Sequence, residues 1–350
     1  MKMYWRLCRI CAYSCLILLL ACTLTSCRYV LPEPELRRVV VDGLNRPISL
    51  PDSPQRVIAL DIATSEMAML LIPYDRLVAV SYFMDDPGIS NLTVEAKQIS
   101  GRVEQSVEHI LSMKPDLVLV TSPGKDDLRI QLEEIGIPVF VIARPYTAAD
   151  IEQNVRLLGE VLDSQERAET LCRAMEADLK QIQLAIDAVH PPREKRILRI
   201  SRIGPLGTKG SNVDAVIREA KCVNVGADIS VGEGILLQEV LLQANIDMLL
   251  LPTWDFKGKD HLDQLAQHYA DDPGLQTVPA VQQRQFIYIP DYLMTAQTPY
   301  RIFATGELAS RAYDIDWESQ LIPLLPASSI RKNDWHNPSI NASVVYRQDI

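Results

Sequence analysis

The chain has 350 residues, 45 acidic against 35 basic, for a net charge of −10, and 47% of its residues are hydrophobic. That negative surplus excludes nucleic acid and anionic membrane surfaces as natural partners, while the length suits either two domains or one large α/β domain. Five of the seven cysteines lie within the first 27 residues, so Cys172 and Cys222 alone remain beyond them, which leaves no disulfide framework and no thiolate metal cluster. They form either a single bridge or, as favoured here, two buried free thiols.

Lys2, Arg6 and Arg9 precede a run of apolar and small residues from Ile10 to Leu24, the pattern of an export signal. The run is shorter than the roughly 20 residues a membrane-crossing helix requires. It ends in Leu24-Thr25-Ser26-Cys27, which resembles the bacterial lipobox, with Cys27 as the lipidated first residue of the mature chain. An uncleaved anchor helix is the competing reading, and both place the remainder outside the cytoplasm. Cleavage before Cys27 removes those three basic residues and no acidic one, taking the net charge to −13. Residues 1–26 are therefore expected to be a signal peptide and 27–37 a proline- and charge-rich tether.

Downstream, short apolar runs alternate with helical patterns, which predicts mainly parallel sheets covered by helices. Arg56–Leu60, Leu77–Ser81, Asp116–Thr121 and Pro138–Ile142 read as strands. A helix begins near Ser65 with Thr64 or Ser65 as N-cap and Glu66 in its first turn, and another spans Leu128–Ile135 and stops at Gly136. Past residue 195 the pattern restarts, with strands at Arg196–Ile200, Asp247–Leu251 and Phe286–Ile289 and a helix over 212–221. One frame recurs in both halves. Glu108 stands eight residues before Asp116, which opens Leu-Val-Leu-Val, and Glu239 stands eight before Asp247, which opens Met-Leu-Leu-Leu. Wholly apolar strands of this kind suit a sheet covered on both faces, and the recurrence points to a diverged duplication.

Between the halves, Leu171, Met175, Leu179, Ile182, Ile186 and Val189 recur at helical spacing. Asp163 and Glu166 have the spacing of a capping box, and Pro191-Pro192 ends the pattern. A helix over 164–190 would join two lobes with limited hinge motion; packing on one lobe alone is the alternative. The expected organisation is an N-terminal lobe over 38–150, an interlobe helical segment over 151–192, a C-terminal lobe over 193–325 and a loosely held polar tail over 326–350.

These residues carry a family resemblance. Val39–Pro51 with Pro54–Leu60, then Val107–Val120, then Val278–Val281 through Phe286–Pro290 resemble, in that order, segments of the periplasmic binding proteins that serve ABC importers of iron–siderophores, haem and cobalamin. The likeness covers roughly 38–315, and Leu71-Ile-Pro-Tyr-Asp75 departs from the family's usual Leu-Gly turn. The resemblance implies two Rossmann-like lobes, one bridging helix, a ligand between the lobes, no catalysis and no resident cofactor, the metal chelate being cargo. It also implies one acidic residue per lobe docking on permease arginines, and Glu108 and Glu239 match those two by position. Helix N-termini at the carboxyl edge of a sheet suit that role, although both glutamates also simply favour their helix ends.

Loops after strand carboxyl ends are expected to line the cleft. These carry Tyr82, Phe83, Met84, Arg144 and Tyr146 in the first half and Arg202, Trp254 and Tyr292 in the second, a mixture that suits a bulky ligand with a flat or greasy body and anionic groups. Arg144 and Trp254 are the strongest of the set, and Arg301 is assigned to structure. Tyr82, Met84 and Tyr146 are candidate axial ligands should the cargo be haem. No metal site is expected from the five scattered histidines. The chain is thus expected to be a monomeric extracytoplasmic capture protein held to the membrane through lipid only. An extracytoplasmic chelatase or hydrolase on the same scaffold is a competing reading, opposed by the absence of a Gly-x-Ser-x-Gly elbow or phosphate loop; a zinc- or manganese-binding protein of related architecture is another.

Overall fold

Apolar runs fold into strands where both sheet faces are covered. In the computed structural model, which describes residues 37–104, 106–123, 126–201, 204–229, 241–254 and 262–331, the first lobe opens with a two-stranded pair, β1 (Arg37–Val41) and β2 (Pro47–Pro51). Its main sheet holds β3 (Val57–Ala59), β4 (Leu77–Ser81), β5 (Gly101–Val103), β6 (Leu117–Ser122) and β7 (Val139–Ala143), all parallel in the order β5-β4-β3-β6-β7. The second lobe places β8 (Arg196–Ser201), β10 (Val223–Asn224), β11 (Met248–Leu251) and β12 (Phe286–Tyr288) in parallel order β10-β8-β11-β12, and β9 (Gly204–Leu206) adds to β8 antiparallel. Strands β3 and β11 are buried along their whole length, as sheets sandwiched between helix layers require.

The recurring frame is structural. Asp116 accepts the backbone N–H groups of Gln55 and Arg56 at 2.6 and 2.9 Å, where β3 begins. Asp247 accepts the N–H of Arg196 at 2.7 Å, where β8 begins. Val57 pairs with Leu117 and Ile58 with Val118; in the second lobe Ile197 pairs with Met248 and Leu198 with Leu249. Lys114 and Asn245, each two residues before its aspartate, both adopt left-handed backbone, at φ 48° and 49°. The same side chain thus sets the register of the same strand pair in each half.

Helix α1 (Ile62–Leu71) follows β3. Its N-cap is Asp61, which accepts the N–H of Thr64 at 3.0 Å, so the helix starts earlier than the expected Thr64 or Ser65. Aspartate is as good a cap as either, and its carboxylate also reaches β6. Short helices α2 (Thr93–Ala96) and α3 (Val107–Ser112) flank β5, and after β6 comes α4 (Asp126–Glu134), which ends before Gly136 at φ 84°. Next, α5 (Ala148–Val161) begins with a capping box between Thr147 and Asp150. Helix α6 (Gln165–Ala188) is 24 residues long, about 36 Å at 1.5 Å per residue. The expected Asp163–Glu166 box is not formed: Asp163 has φ 56° and makes the tight turn between the antiparallel α5 and α6, leaving Ser164 at the N-cap without a side-chain bond. Along α6, Leu171, Met175, Ile182 and Ile186 are buried and Val189 is exposed. Arg167 in its first turn donates to the carbonyl of Leu70 at 3.1 Å, and Asp187 in its last turn pairs with Lys221 of the second lobe.

Helix α7 (Asn212–Glu219) precedes β10, α8 (Leu262–Asp271) and α9 (Pro279–Gln282) precede β12, and α10 (Asp291–Met294) and α11 (Arg301–Tyr313) follow it. Cys172 and Cys222 are free and buried, and burial pushes both thiols up to about 12. The start of the expected loose tail is instead fastened: Ser329 is buried and bonds the hydroxyl of Tyr300 at 2.8 Å, and Arg331 donates to the carbonyls of Pro87 and Ser90 at 2.9 and 2.8 Å. No helix among the described residues is long and apolar enough to cross a membrane. The expected signal, lipidated Cys27 and the tether up to residue 36 lie outside the described residues, as do the tail beyond 331, Arg202 and Glu239, while Arg37, expected to end the tether, opens β1.

Candidate functional site

The carboxyl ends of β3, β6 and β7 and the start of α1 form one wall of a cleft of about 360 Å³, and residues 295–297 of the second lobe form the other. Asp61, Thr121, Phe83 and Arg144 line the first wall, and Thr295, Ala296 and Gln297 the second. Asp61 is occupied in structure: besides capping α1, its carboxylate accepts the N–H of Thr121 at 2.8 Å and its hydroxyl at 3.0 Å, fixing the helix start to β6. Arg144 follows β7, is exposed, and its Nη2 lies 3.4 Å from the carbonyl of Pro123. A guanidinium on the same wall as an apolar ring is suited to an anionic group on a partly apolar ligand.

The residues expected to touch ligand divide into several groups. Phe83 and Arg144 line the cleft, and Tyr82 stacks on Phe83 with ring centroids 4.0 Å apart. Tyr146 is exposed, beside Arg144 in the chain. Met84 is fully buried in the first lobe's core, with its sulfur accepting the Ser90 hydroxyl, so it is spent on packing and is unavailable as an axial ligand. Tyr292 is also buried, and its ring lies 3.6 Å beneath the Arg331 guanidinium. Both corrections have one cause: a loop aromatic or methionine next to an α/β core gains more by burial than by facing solvent.

Trp254 reaches across the lobes. Its Nε1–H donates to Asp86 at 3.2 Å, and its ring packs on Gly88 so closely that a Cβ there would lie 2.1 Å from Cδ1. Asp291 positions it, accepting the N–H groups of Thr253 and Trp254 at 2.5 and 2.8 Å while pairing with the buried Arg199. Gly88→Ala is therefore expected to expel the indole into water and shift tryptophan emission to longer wavelength. Unchanged emission would show that Trp254 does not rest on this glycine.

Sequence reasoning missed Glu66 as an interior group. It is fully buried, and its carboxylate accepts the N–H of Asn91 at 2.6 Å, the Asn91 side-chain amide at 3.2 Å and the Thr298 hydroxyl at 2.7 Å. Burial outweighs these donors and pushes the carboxyl up to about 7. The signal was available: Met67-Ala-Met-Leu-Leu71 makes α1 apolar on every face, and a helix apolar all round is buried all round, glutamate included. Asp61 and Asp291 were missed because a carboxylate at a strand end reads as turn chemistry until its acceptors are seen.

The periplasmic binding protein family matches residues 57–293, and the chain belongs to that family, whose members are transport solute-binding proteins and not enzymes. Among its relatives is the uncharacterized ABC transporter substrate-binding lipoprotein YvrC of Bacillus subtilis, 23% identical over 78% of this chain and 84% of the relative. The molybdate-binding protein MolA of Haemophilus influenzae is 22% identical over 79% and 83%. A vitamin B12-binding protein of Yersinia pestis is 33% identical over 31% of this chain and 38% of its own length. In fold, the chain is similar to MolA bound to molybdate, at TM-score 0.64 and 19% identity over 83% and 96%. It is also similar to the apo periplasmic haem-binding protein RhuT of Roseiflexus sp. RS-1, at TM-score 0.59 and 24% identity over 74% and 98%.

Proposed function

We propose that the chain is the lipid-anchored, extracytoplasmic capture component of an ABC importer, holding a metal chelate or metal oxyanion between its lobes and presenting it to the permease. The observation that carries this reading is the interlobe cleft, with Arg144 and Phe83 on one wall facing residues 295–297 on the other. Proteins named for molybdate and haem share the scaffold, one named for vitamin B12 matches 31% of the chain, and a cleft of about 360 Å³ lies at the compact end of the roughly 300–1,000 Å³ range of ligand sites. Cys27 supplies the anchor, as the lipoprotein relative supports.

Docking falls to Glu108 and Glu239. Glu108 is exposed in the first turn of α3 (Val107–Ser112). It borders a groove of about 530 Å³ that also takes in Asp126 and Asp127, an acidic surface complementary to arginines.

Titrating the purified protein with ferric siderophores, haemin, cobalamin and molybdate, followed by tryptophan fluorescence and calorimetry, tests the reading. Saturable binding of one class without turnover is expected. Binding of none of them, or turnover of any, would refute it. For the ligand that binds, Arg144→Ala is expected to weaken affinity about 10- to 100-fold, the scale of a lost charge-assisted hydrogen bond. An unchanged dissociation constant would remove Arg144 from the site.

A further inference from the structure

Among the contacts that join the lobes, one cluster lies at the base of the cleft. Glu66 of the first lobe accepts the hydroxyl of Thr298 from the second. Asn91, whose backbone and side-chain N–H groups bond Glu66, also donates to the carbonyl of Tyr292 in the second lobe at 2.9 Å. Arg331 closes the cluster from the chain's C-terminal side, bonded to Pro87 and Ser90 and stacked on Tyr292. Glu66 is fully buried at the floor of the cleft it helps to line, bonded by Asn91 of the first lobe and Thr298 of the second. Any motion that parts Thr298 from Asn91 brings its carboxyl to water.

We propose that Glu66 is a proton site linked to the lobe contact: the joined arrangement takes up a proton there, and parting the lobes releases it. The reasoning is one of solvation. A carboxylate sealed between two protein surfaces loses its hydration, whereas the same group facing an opened cleft regains it. Oδ1 of Asn91, on the amide that donates to both carboxylate oxygens, is itself buried with no hydrogen-bond partner among the described residues. The charged and titratable groups around the site are few. Arg331 favours the ionised form. Tyr300, at the N-cap of α11, is close enough to feel the charges of Glu66 and Glu95 and the hydroxyl of Tyr74. Asp61 from the same helix and Arg144 from the end of β7 line the cleft beyond. Desolvation dominates, holding the joined carboxyl near 7 against an ordinary 4.5.

The sign follows from linkage. The joined state binds the proton more tightly, so acid favours it, and opening becomes easier as pH rises from about 4.5 and levels off above about 7. Across that window the opening equilibrium is expected to rise by up to about tenfold per pH unit. The ligand-free protein suffices for the test, so its outcome is independent of which cargo the cleft holds. Hydrogen–deuterium exchange is followed in peptides covering 86–92 and 296–302 from pH 4.5 to 8.5, with rates corrected for the intrinsic pH dependence of exchange. The wild type should lose protection with rising pH and then level off. Glu66→Gln should show a flat profile. Thr298→Val, which keeps the carboxyl but removes a donor to it, should carry the rise to higher pH, and it provides the test on its own if Glu66→Gln does not fold. A flat wild-type profile, a Glu66→Gln variant that keeps the rise, or a Thr298→Val profile that levels off no higher than the wild type would each overturn the proposal.

Discussion

The double variant Glu108→Ala, Glu239→Ala is expected to abolish uptake while binding its ligand with unchanged affinity. Glu108 is suited to carry charge to a partner. Its own backbone N–H and the Ser106 hydroxyl, 2.8 Å away, hold its carboxyl below the usual range, so it remains ionised through the whole neutral region. It stands away from the cleft-lining residues, so its removal costs the ligand nothing. Glu239 enters through the repeat: it precedes Asp247 by the same eight residues that separate Glu108 from Asp116. Carboxylates paired bidentately with arginine give both register and affinity, and truncating a buried pair costs about 2–5 kcal/mol at an interface. Two such losses reduce complex formation by several orders of magnitude. Uptake of labelled ligand in cells lacking the native protein, set beside calorimetry on the purified variant, checks this; normal uptake would end the docking assignment.

Glu219→Ala is expected to destabilise the fold by about 3–5 kcal/mol, the cost of leaving one member of a buried ion pair alone. Arg301 is 1% exposed, and both its bonds to Glu219, at 2.8 and 2.9 Å, go through one nitrogen. Its other terminal nitrogen donates to the carbonyl of Tyr146, and Glu219 in turn accepts the N–H of Ala148 at 2.8 Å. The pair therefore ties α11 and α7 of the second lobe to the entry of α5, where the chain leaves the first sheet. Equilibrium denaturation gives the measurement, and Glu219→Leu combined with Arg301→Met should recover much of the loss by removing both charges together. An unchanged unfolding midpoint in Glu219→Ala would mean that the guanidinium finds other partners.

What was legible in the sequence followed from periodicity. Leu77–Ser81 and Phe286–Tyr288 fold as strands because apolar runs of that length have few alternatives in an α/β chain, and the Asp116 and Asp247 frames mark strand starts because a carboxylate there can accept the neighbouring strand's N–H groups. Strand β5, three residues long with a glycine, has too little pattern to be seen. Helix α5 was read only as part of a helical segment beginning at 151, although Thr147 and Asp150 announce its earlier cap. The cleft was legible only as a set of loops. Phe83 and Arg144 were found because they follow strands, whereas Met84 and Tyr292 satisfied the same rule and fold inward. Loop position fixes proximity to a cleft; the direction of a side chain depends on tertiary neighbours that no local pattern encodes.

The two register-matched strand pairs differ in one respect. Leu117 follows Val57 by 60 residues, and Met248 follows Ile197 by only 51. The longer stretch contains Asp86, Gly88 and Asn91, the residues that cross to grip the opposite lobe. The first lobe's longer connection thus doubles as a strap to the second, so trimming it to the length of its counterpart would leave a sheet of the same register with no hold on its neighbour through these residues.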